Sequence, residues 1–300
     1  MYSVALGAAA GGGFPQWNSN APACNRARAG DPAAIPRSQA GLAVSSDGRR
    51  WLLLNASPDL RAQIGQSRFL HPQEGLRSSP IAGVVLTGGE VDNVAGLLTL
   101  RERQALTIYA TAAVHGVLDS NPIFEALDRQ VVTRHLVALE TPVRTDLQLT
   151  FTLFAVPGKV PLYLEDPAAA PAVETGEMAV GISVTDGRHT LHYIPGCAAM
   201  TPALADRLRN AELVYFDGTL WSDEEMIRAG IGQKSGLRMG HMSVSGPEGT
   251  MAAFRELGVR RKVLIHLNNS NPVLLDDSAE RAAVTAAGWE VAYDGMEIEL

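Results

Sequence analysis

The sequence predicts a layered α/β fold whose sheet is mixed rather than purely parallel. Short β-rich runs alternate with helical runs along almost the whole chain, a pattern that packs helices against sheet. Asp-Gly turns at Asp47-Gly48, Asp186-Gly187 and Asp294-Gly295 join neighbouring apolar runs into hairpins, which brings antiparallel pairs into the sheet. No composition break marks a linker, so residues 1–300 read as a single domain.

The elements follow in order. Tyr2–Leu6 is a strand, and Gly41–Ser45 with Trp51–Asn55 form a hairpin around Ser46-Asp47-Gly48. Ile81–Leu86 is an uninterrupted apolar run of a buried strand, and Val94–Leu100 continues into a helix. Thr107–Tyr109 and Val131–His135 are short strands separated by a helical stretch near Ala112–Leu118. Leu147–Val156 alternates apolar and polar residues as a half-buried strand does. Four prolines without periodicity make Pro157–Val173 a loop. Gly181–Thr185 and Thr190–Ile194 form the second hairpin. Thr201 caps a helix reaching about Asn210, with Pro202 at the first helical position, where its missing N–H costs nothing. Glu212–Phe216 and Lys262–Leu267 are strands buried on both faces. Pro247–Leu257 and Ser278–Ala287 are helices, and Glu290–Tyr293 with Met296–Glu299 close the chain as a third hairpin.

Charge narrows the function classes. The chain carries 25 Lys+Arg against 32 Asp+Glu, a formal charge of −7, with no Lys/Arg-rich run to grip a phosphate backbone or an anionic bilayer. Nucleic acid and membrane surfaces are therefore not expected partners. No apolar run reaches the ~20 residues of a spanning helix. The apolar N-terminus lacks the positive region of a signal peptide, since its first basic residue is Arg26. The only cysteines, Cys24 and Cys197, lie too far apart in sequence to suggest a disulfide framework, and a cytoplasmic location is expected.

The Gly-rich opening Gly7–Gly13 follows a strand but lacks the G-x-G-x-x-G spacing, and Phe14-Pro15-Gln16-Trp17 stands where a phosphate-binding helix would begin. It reads as a structural loop. Four other segments place metal-competent side chains at or beyond strand ends: Thr87-Gly88-Gly89-Glu90-Val91-Asp92-Asn93, Asp217-Gly218-Thr219, Gly240-His241-Met242-Ser243, and His266 before Leu267-Asn268-Asn269. Loops at strand ends are where α/β sheets gather ligands. Singly, Asp217 also suits a turn, His266 a structural histidine, and Glu90 and Asp92 a solvated loop. Together, carboxylates and imidazoles suit a divalent transition ion. His71, His115, His135, His189 and His192 read as surface or structural groups.

These segments, in this order, resemble the metallo-β-lactamase superfamily, which implies an αββα sandwich with a metal site at strand ends. Laid on its T-H-x-H-x-D-H motif, Thr87 and Asp92 match, while Gly88, Glu90 and Asn93 replace the three histidines. Asp217 resembles the metal-bridging Asp and His266 the closing His. With the H-x-H pair missing, an ordinary dinuclear zinc hydrolase is not expected. Over the whole chain the segments around Phe14-Pro15-Gln16-Trp17-Asn18, Asn55-Ala56-Ser57-Pro58-Asp59, Phe216-Asp217-Gly218-Thr219, Met239-Gly240-His241-Met242, His266–Pro272 and Asp294–Leu300 resemble the pyrroloquinoline quinone (PQQ) biosynthesis protein B family.

That resemblance implies one of two roles in making the redox cofactor PQQ. One is an iron-dependent, O₂-consuming hydroxylase acting on the tyrosine-derived ring of a cross-linked Glu–Tyr intermediate. The other is a carrier for PQQ or its precursor, and a scaffold for other pathway proteins, with or without homo-oligomers, forms a third class. A mononuclear Fe(II) site mixes carboxylate with imidazole and leaves positions open. Asp92, Asp217 and His266 are the expected ligands. Glu90 and His241 are expected either to complete the set or to act as catalytic groups beside it. Lys234 and Arg238 offer cations for substrate carboxylates, and Asn269 is a further candidate contact. Trp17 and Trp221 suit either an aromatic pocket wall or the core. Relatives with a W-N-C-N-C-x-x-C loop have a structural zinc site. Here Trp17-Asn18-Ser19-Asn20-Ala21-Pro22-Ala23-Cys24 keeps one thiol, so a structural zinc is expected to be absent.

Overall fold

The computed structural model describes residues 1–165 and 173–300. Of the expected Pro157–Val173 loop, 166–172 lie outside the described residues. The strands are β1 (Tyr2–Gly7), β2 (Gly41–Ser45), β3 (Trp51–Leu54), β4 (Ile81–Val85), β5 (Leu106–Ala110), β6 (Val132–Leu136) and β7 (Val143–Arg144). They continue as β8 (Thr150–Gly158), β9 (Glu174–Thr185), β10 (Thr190–Ile194), β11 (Leu213–Asp217), β12 (Arg261–Ile265), β13 (Glu290–Val291) and β14 (Met296–Glu299). Among the described residues these make two seven-stranded sheets, ordered β14-β1-β2-β3-β4-β5-β6 and β13-β12-β11-β10-β9-β8-β7.

Each sheet is antiparallel at one side and parallel at the other. Pairs β3–β4, β4–β5 and β5–β6 are parallel, as are β10–β11, β11–β12 and β12–β13. Parallel neighbours need crossovers. Helices Leu60–Gln66, Ala112–Ser120, Pro202–Leu208 and Ala279–Ala286 lie in four of the six. The predicted cap holds: the Thr201 side chain accepts from the Leu204 N–H, with Pro202 next in line.

Side-chain alternation builds the layers. Along β11, Tyr215 points between the sheets, where its hydroxyl lies 3.0 Å from Ser3 Oγ of β1. Phe216 points the other way, edge-on to Phe254, which packs in turn on Trp289. The inner faces share one core that includes Leu42, Leu52 and Val85 of the first sheet and Phe151, Ile182 and Tyr193 of the second. The outer face of the first sheet packs Leu53, Val84 and Ile108 against Leu60, Val114 and Leu118 of its helices. This is the αββα sandwich that the resemblance implies.

Three expectations require correction. The terminal segments do not form a hairpin: β13 pairs parallel with β12, whereas β14 crosses to the other sheet and pairs with β1. Asp294-Gly295 turns the chain between sheets, held by Gly295 N–H on the Ala5 carbonyl at 2.8 Å and Ser38 N–H on Asp294 Oδ2 at 2.7 Å. A turn pair signals reversal, not pairing. The expected helix over Pro247–Leu257 shrinks to Thr250–Ala253, because Thr250 and Met251 donate to the Ser243 and Val244 carbonyls. The Val94–Leu100 stretch is one α turn, Val91–Val94, followed by a 3₁₀ segment, Ala95–Leu100. There Gly96 N–H donates to the Ala56 carbonyl across the chain rather than along the helix.

Gly96 has no room for a side chain, since an added Cβ would lie 2.1 Å from the Ser57 carbonyl oxygen. Gly96→Ala should lower unfolding stability by about 1–3 kcal/mol in urea titrations; an unchanged midpoint would contradict this packing. His192 is buried beside Ser183 Oγ at 2.9 Å, and burial, then the Arg207 charge, pulls its imidazole down to about 4. A depressed histidine lets the unfolded chain take the proton first, so stability is fully present above pH ~6.5 and falls as pH drops toward 4. His192→Leu should flatten the stability–pH curve in that window relative to the parent; parallel curves would contradict the assignment.

Candidate metal centre

The centre forms where parallel strands of the second sheet end side by side. β11 and β12 pair in register down to Asp217 opposite Ile265, so Asp217 and His266 emerge together at their C-terminal ends. The backbone ties the two ends: Gly218 N–H donates to the Ile265 carbonyl at 2.8 Å and Asn268 N–H to the Thr219 carbonyl at 3.0 Å. Buried Asn271 adds a bond from its amide to the Gly218 carbonyl at 2.8 Å. The Gly-rich opening braces the same place, since Leu267 N–H donates to Ala8 O and Ala10 N–H to Leu267 O. His266 adopts φ 62°, a left-handed conformation costly for a side chain with a Cβ, which such bracing can sustain.

Asp217 is fully buried, and all its partners are in place. Cys197 N–H donates to Oδ2 at 2.8 Å, while the Thr219 N–H and hydroxyl donate to Oδ1 at 3.0 and 2.6 Å. His241 Nδ1 lies 2.7 Å from Oδ2. Burial raises the Asp217 pKa, but the charge and hydrogen bond of His241, with His266 and Thr219, outweigh it and leave the carboxyl below its ordinary value. The His241 and His266 rings stack with centroids 5.3 Å apart. Thr219 Oγ1 sits 3.1 Å from His241 Nδ1 and 2.8 Å from His266 Nδ1, so one hydroxyl touches all three groups. His266 Nε2 faces Asp92 Oδ2 at 2.9 Å. Burial lowers the His266 pKa, but Asp92 and Asp217 raise it more; burial raises that of Asp92, but His266 lowers it more.

Among the described residues, one group can close on an ion: a ligand atom from each of Asp217, His241 and His266 lies within 4.8 Å of the others. The expected set was Asp92, Asp217 and His266. The structure puts His241 in the group and leaves Asp92 beside it, bonded to His266. Glu90 turns away. Its Oε1 accepts from Leu162 N–H at 3.1 Å and lies 3.4 Å from Lys159 Nζ, and burial, only partly offset by Lys159, raises its pKa. Asn93 Oδ1 accepts from Asn55 Nδ2 at 3.0 Å, and Asn55 also bonds Thr87, so these residues fix the loop that carries Asp92. At Gly88 an added Cβ would sit tightly, 3.1 Å from the Met178 carbonyl oxygen and 3.2 Å from Asn93 Nδ2.

A cavity of about 600 Å³ opens onto the group, lined by Asp92, His241 and His266 with apolar walls from Met178, Val180 and Met239. Lys234 lines it, but Arg238 and Asn269 do not. Asn269 instead bonds Gln16 and approaches the Cys24 thiol, so its amide serves the loop beneath. Trp17 is exposed, and Trp221 packs on the core. Neither lines the cavity. The residues the sequence reading missed are Thr219, hidden in an ordinary Asp-Gly-Thr turn, and Lys159, Tyr163 and Glu165, in a segment read only as loop.

A beta-lactamase superfamily domain model matches residues 50–267. The coenzyme PQQ synthesis protein B of Gluconacetobacter diazotrophicus is 64% identical, with 98% of each chain covered. Its counterpart from Xanthomonas campestris pv. campestris is 55% identical over the full length of both. The crystal structure of Zn²⁺-bound PqqB from Methylobacterium extorquens superposes with TM-score 0.98 at 49% identity over the whole of both chains. A diphosphatase of the PhnP family shares the fold at 18% identity and TM-score 0.71. A zinc-bound relative this similar argues against the expected absence of a structural zinc. The chain belongs to the beta-lactamase superfamily and, within it, to the coenzyme PQQ synthesis protein B family.

Proposed function

We propose that this chain acts in PQQ biosynthesis as a mononuclear Fe(II)-dependent oxygenase that hydroxylates the tyrosine-derived ring of the cross-linked Glu–Tyr precursor. The observation that carries the reading is the donor set: one carboxylate, Asp217, and two imidazoles, His241 and His266, within 4.8 Å of one another. Two histidines and one carboxylate with open positions is the ligand pattern of non-haem iron oxygenases. A pair of zinc ions, by contrast, needs the histidines that Gly88, Glu90 and Asn93 replace. These three residues would hold the Fe(II), which when bound would supply the O₂ chemistry that an aromatic C–H bond requires.

The protein's own part is positioning. Thr219 orients both imidazoles through their Nδ1 atoms, as outer-shell partners of metal ligands do. Asp92 Oδ2 is the acceptor for the proton that His266 Nε2 carries in the metal-free protein. The apolar walls suit an aromatic ring, and the volume suits one small molecule. In this reading Glu90, which lines the cavity while bonding Leu162 and Lys159 rather than the metal group, exchanges a proton with the phenol. Overall, one oxygen atom of O₂ is inserted into the ring C–H bond and the other leaves as water, with two electrons from an external small-molecule reductant such as ascorbate and two protons from that reductant and solvent.

Residues 1–300 act as one domain in this reading, in the cytoplasm, with other pathway proteins as partners. Among the described residues no helix is long and apolar enough to cross a membrane. A carrier for PQQ would use the cavity but not the three converging donors, and so ranks second.

The test is turnover under ¹⁸O₂ with Fe(II)-loaded protein, the cross-linked Glu–Tyr compound and ascorbate. The hydroxylated product should retain one labelled oxygen, and Asp217→Ala should form none. An unlabelled product, or no product from protein with iron bound, would sink the oxygenase reading and put the carrier first.

A further inference from the structure

We propose that Lys159 and Lys234 form a carboxylate-binding subsite on the cavity wall, in which Glu165 serves as an internal stand-in that competes with a carboxylate of the ligand. The ligand class, an aromatic compound bearing several carboxylates, rests on the function proposed above. The subsite itself rests on geometry. Lys159 Nζ donates to Glu165 Oε1 at 2.8 Å, and Lys234 Nζ donates to Oε2 of the same group at 2.9 Å. Two ammonium groups from distant parts of the chain are thus spaced to grip the two oxygens of one carboxylate. Both lysines line the cavity and Glu165 does not, so the cations stand between that carboxylate and the ligand space.

The lysines are also held beside the metal centre. Lys159 is only 13% exposed, which keeps its ammonium group from full hydration and strengthens its demand for an anion. Its stem lies along the turn before His241, where a Cβ on Gly240, at φ 86°, would come within 3.2 Å of Lys159 Cγ. Among the described residues, Glu90 Oε1 at 3.4 Å is the other anion within reach. The hydrogen bonds from Lys159 and then Lys234 hold the Glu165 carboxyl at about 2, so it stays an anion throughout the working pH range. In this proposal Lys159 takes the place beside Lys234 that the sequence suggested for Arg238, which does not line the cavity.

A structural ion-pair triad and a ligand subsite respond oppositely when Glu165 loses its charge. PQQ, a tricarboxylate, is the probe, titrated calorimetrically into the full-length metal-free protein, so the result does not depend on iron or O₂. Lys159→Met and Lys234→Met should each weaken binding about tenfold. Glu165→Gln should tighten it at least threefold, and that gain should vanish in the Lys159→Met/Glu165→Gln double variant. Thermal melts identify any variant that fails to fold, and Lys234→Arg, which keeps the charge, should bind within a few-fold of the parent. Unchanged or weaker binding in Glu165→Gln, parent-like binding in both Met variants, or no binding by the parent would each overturn the subsite. Failure of the ¹⁸O₂ experiment with this pattern intact would instead remove the oxygenase reading alone.

Discussion

A fully buried carboxylate organises this molecule. Asp217 ends β11 between two sheets, where an unpaired charge would cost several kcal/mol. Four donors meet it: two backbone N–H groups, one hydroxyl and one imidazole. Each donor comes from a segment that must be held in turn. Cys197 follows β10, Thr219 follows β11, and His241 lies in the long crossover to β12. Satisfying one charge therefore fixes the ends of β10 and β11 and the loops leaving them. The same packing brings ligand atoms of Asp217, His241 and His266 within 4.8 Å of one another, near enough to close on an ion.

The first sheet contributes through a different device. Asn55, at φ 66°, bonds Thr87 and Asn93, and Val180 N–H donates to the Thr87 carbonyl across the sandwich. This sets Asp92 against His266. Positions that carry histidine in the superfamily motif have been given other tasks: Gly88 packs on the backbone of Met178, Asn93 pins its loop, and Glu90 faces Lys159. The superfamily's architecture is kept while its paired-metal chemistry is not supported by these side chains.

Much of the architecture was legible in the sequence because it follows from local pattern. Alternation marked the strands, Thr201-Pro202 marked a helix start, and Asp-Gly pairs marked turns. The final hairpin was misread because a turn pair does not say which sheet receives the next strand. The 247–257 helix was misread because backbone donors were claimed by a distant segment. At the site, Asp217, His266, Asp92 and His241 stood out as metal-competent residues at strand ends. Which three converge depends on crossover lengths and loop packing, which local pattern does not encode. Thr219 and Lys159 were invisible for a related reason: each matters only through atoms far away in sequence.

The proposed chemistry requires that Asp217, His241 and His266 hold one metal ion. Anaerobic Fe(II) titration of the purified protein, beside Asp217→Ala, His241→Ala, His266→Ala and Glu90→Gln, measures this directly. One tight equivalent is expected, lost in the three alanine variants and kept in Glu90→Gln. Binding that is indifferent to the three substitutions, or absent from the parent protein, would contradict it.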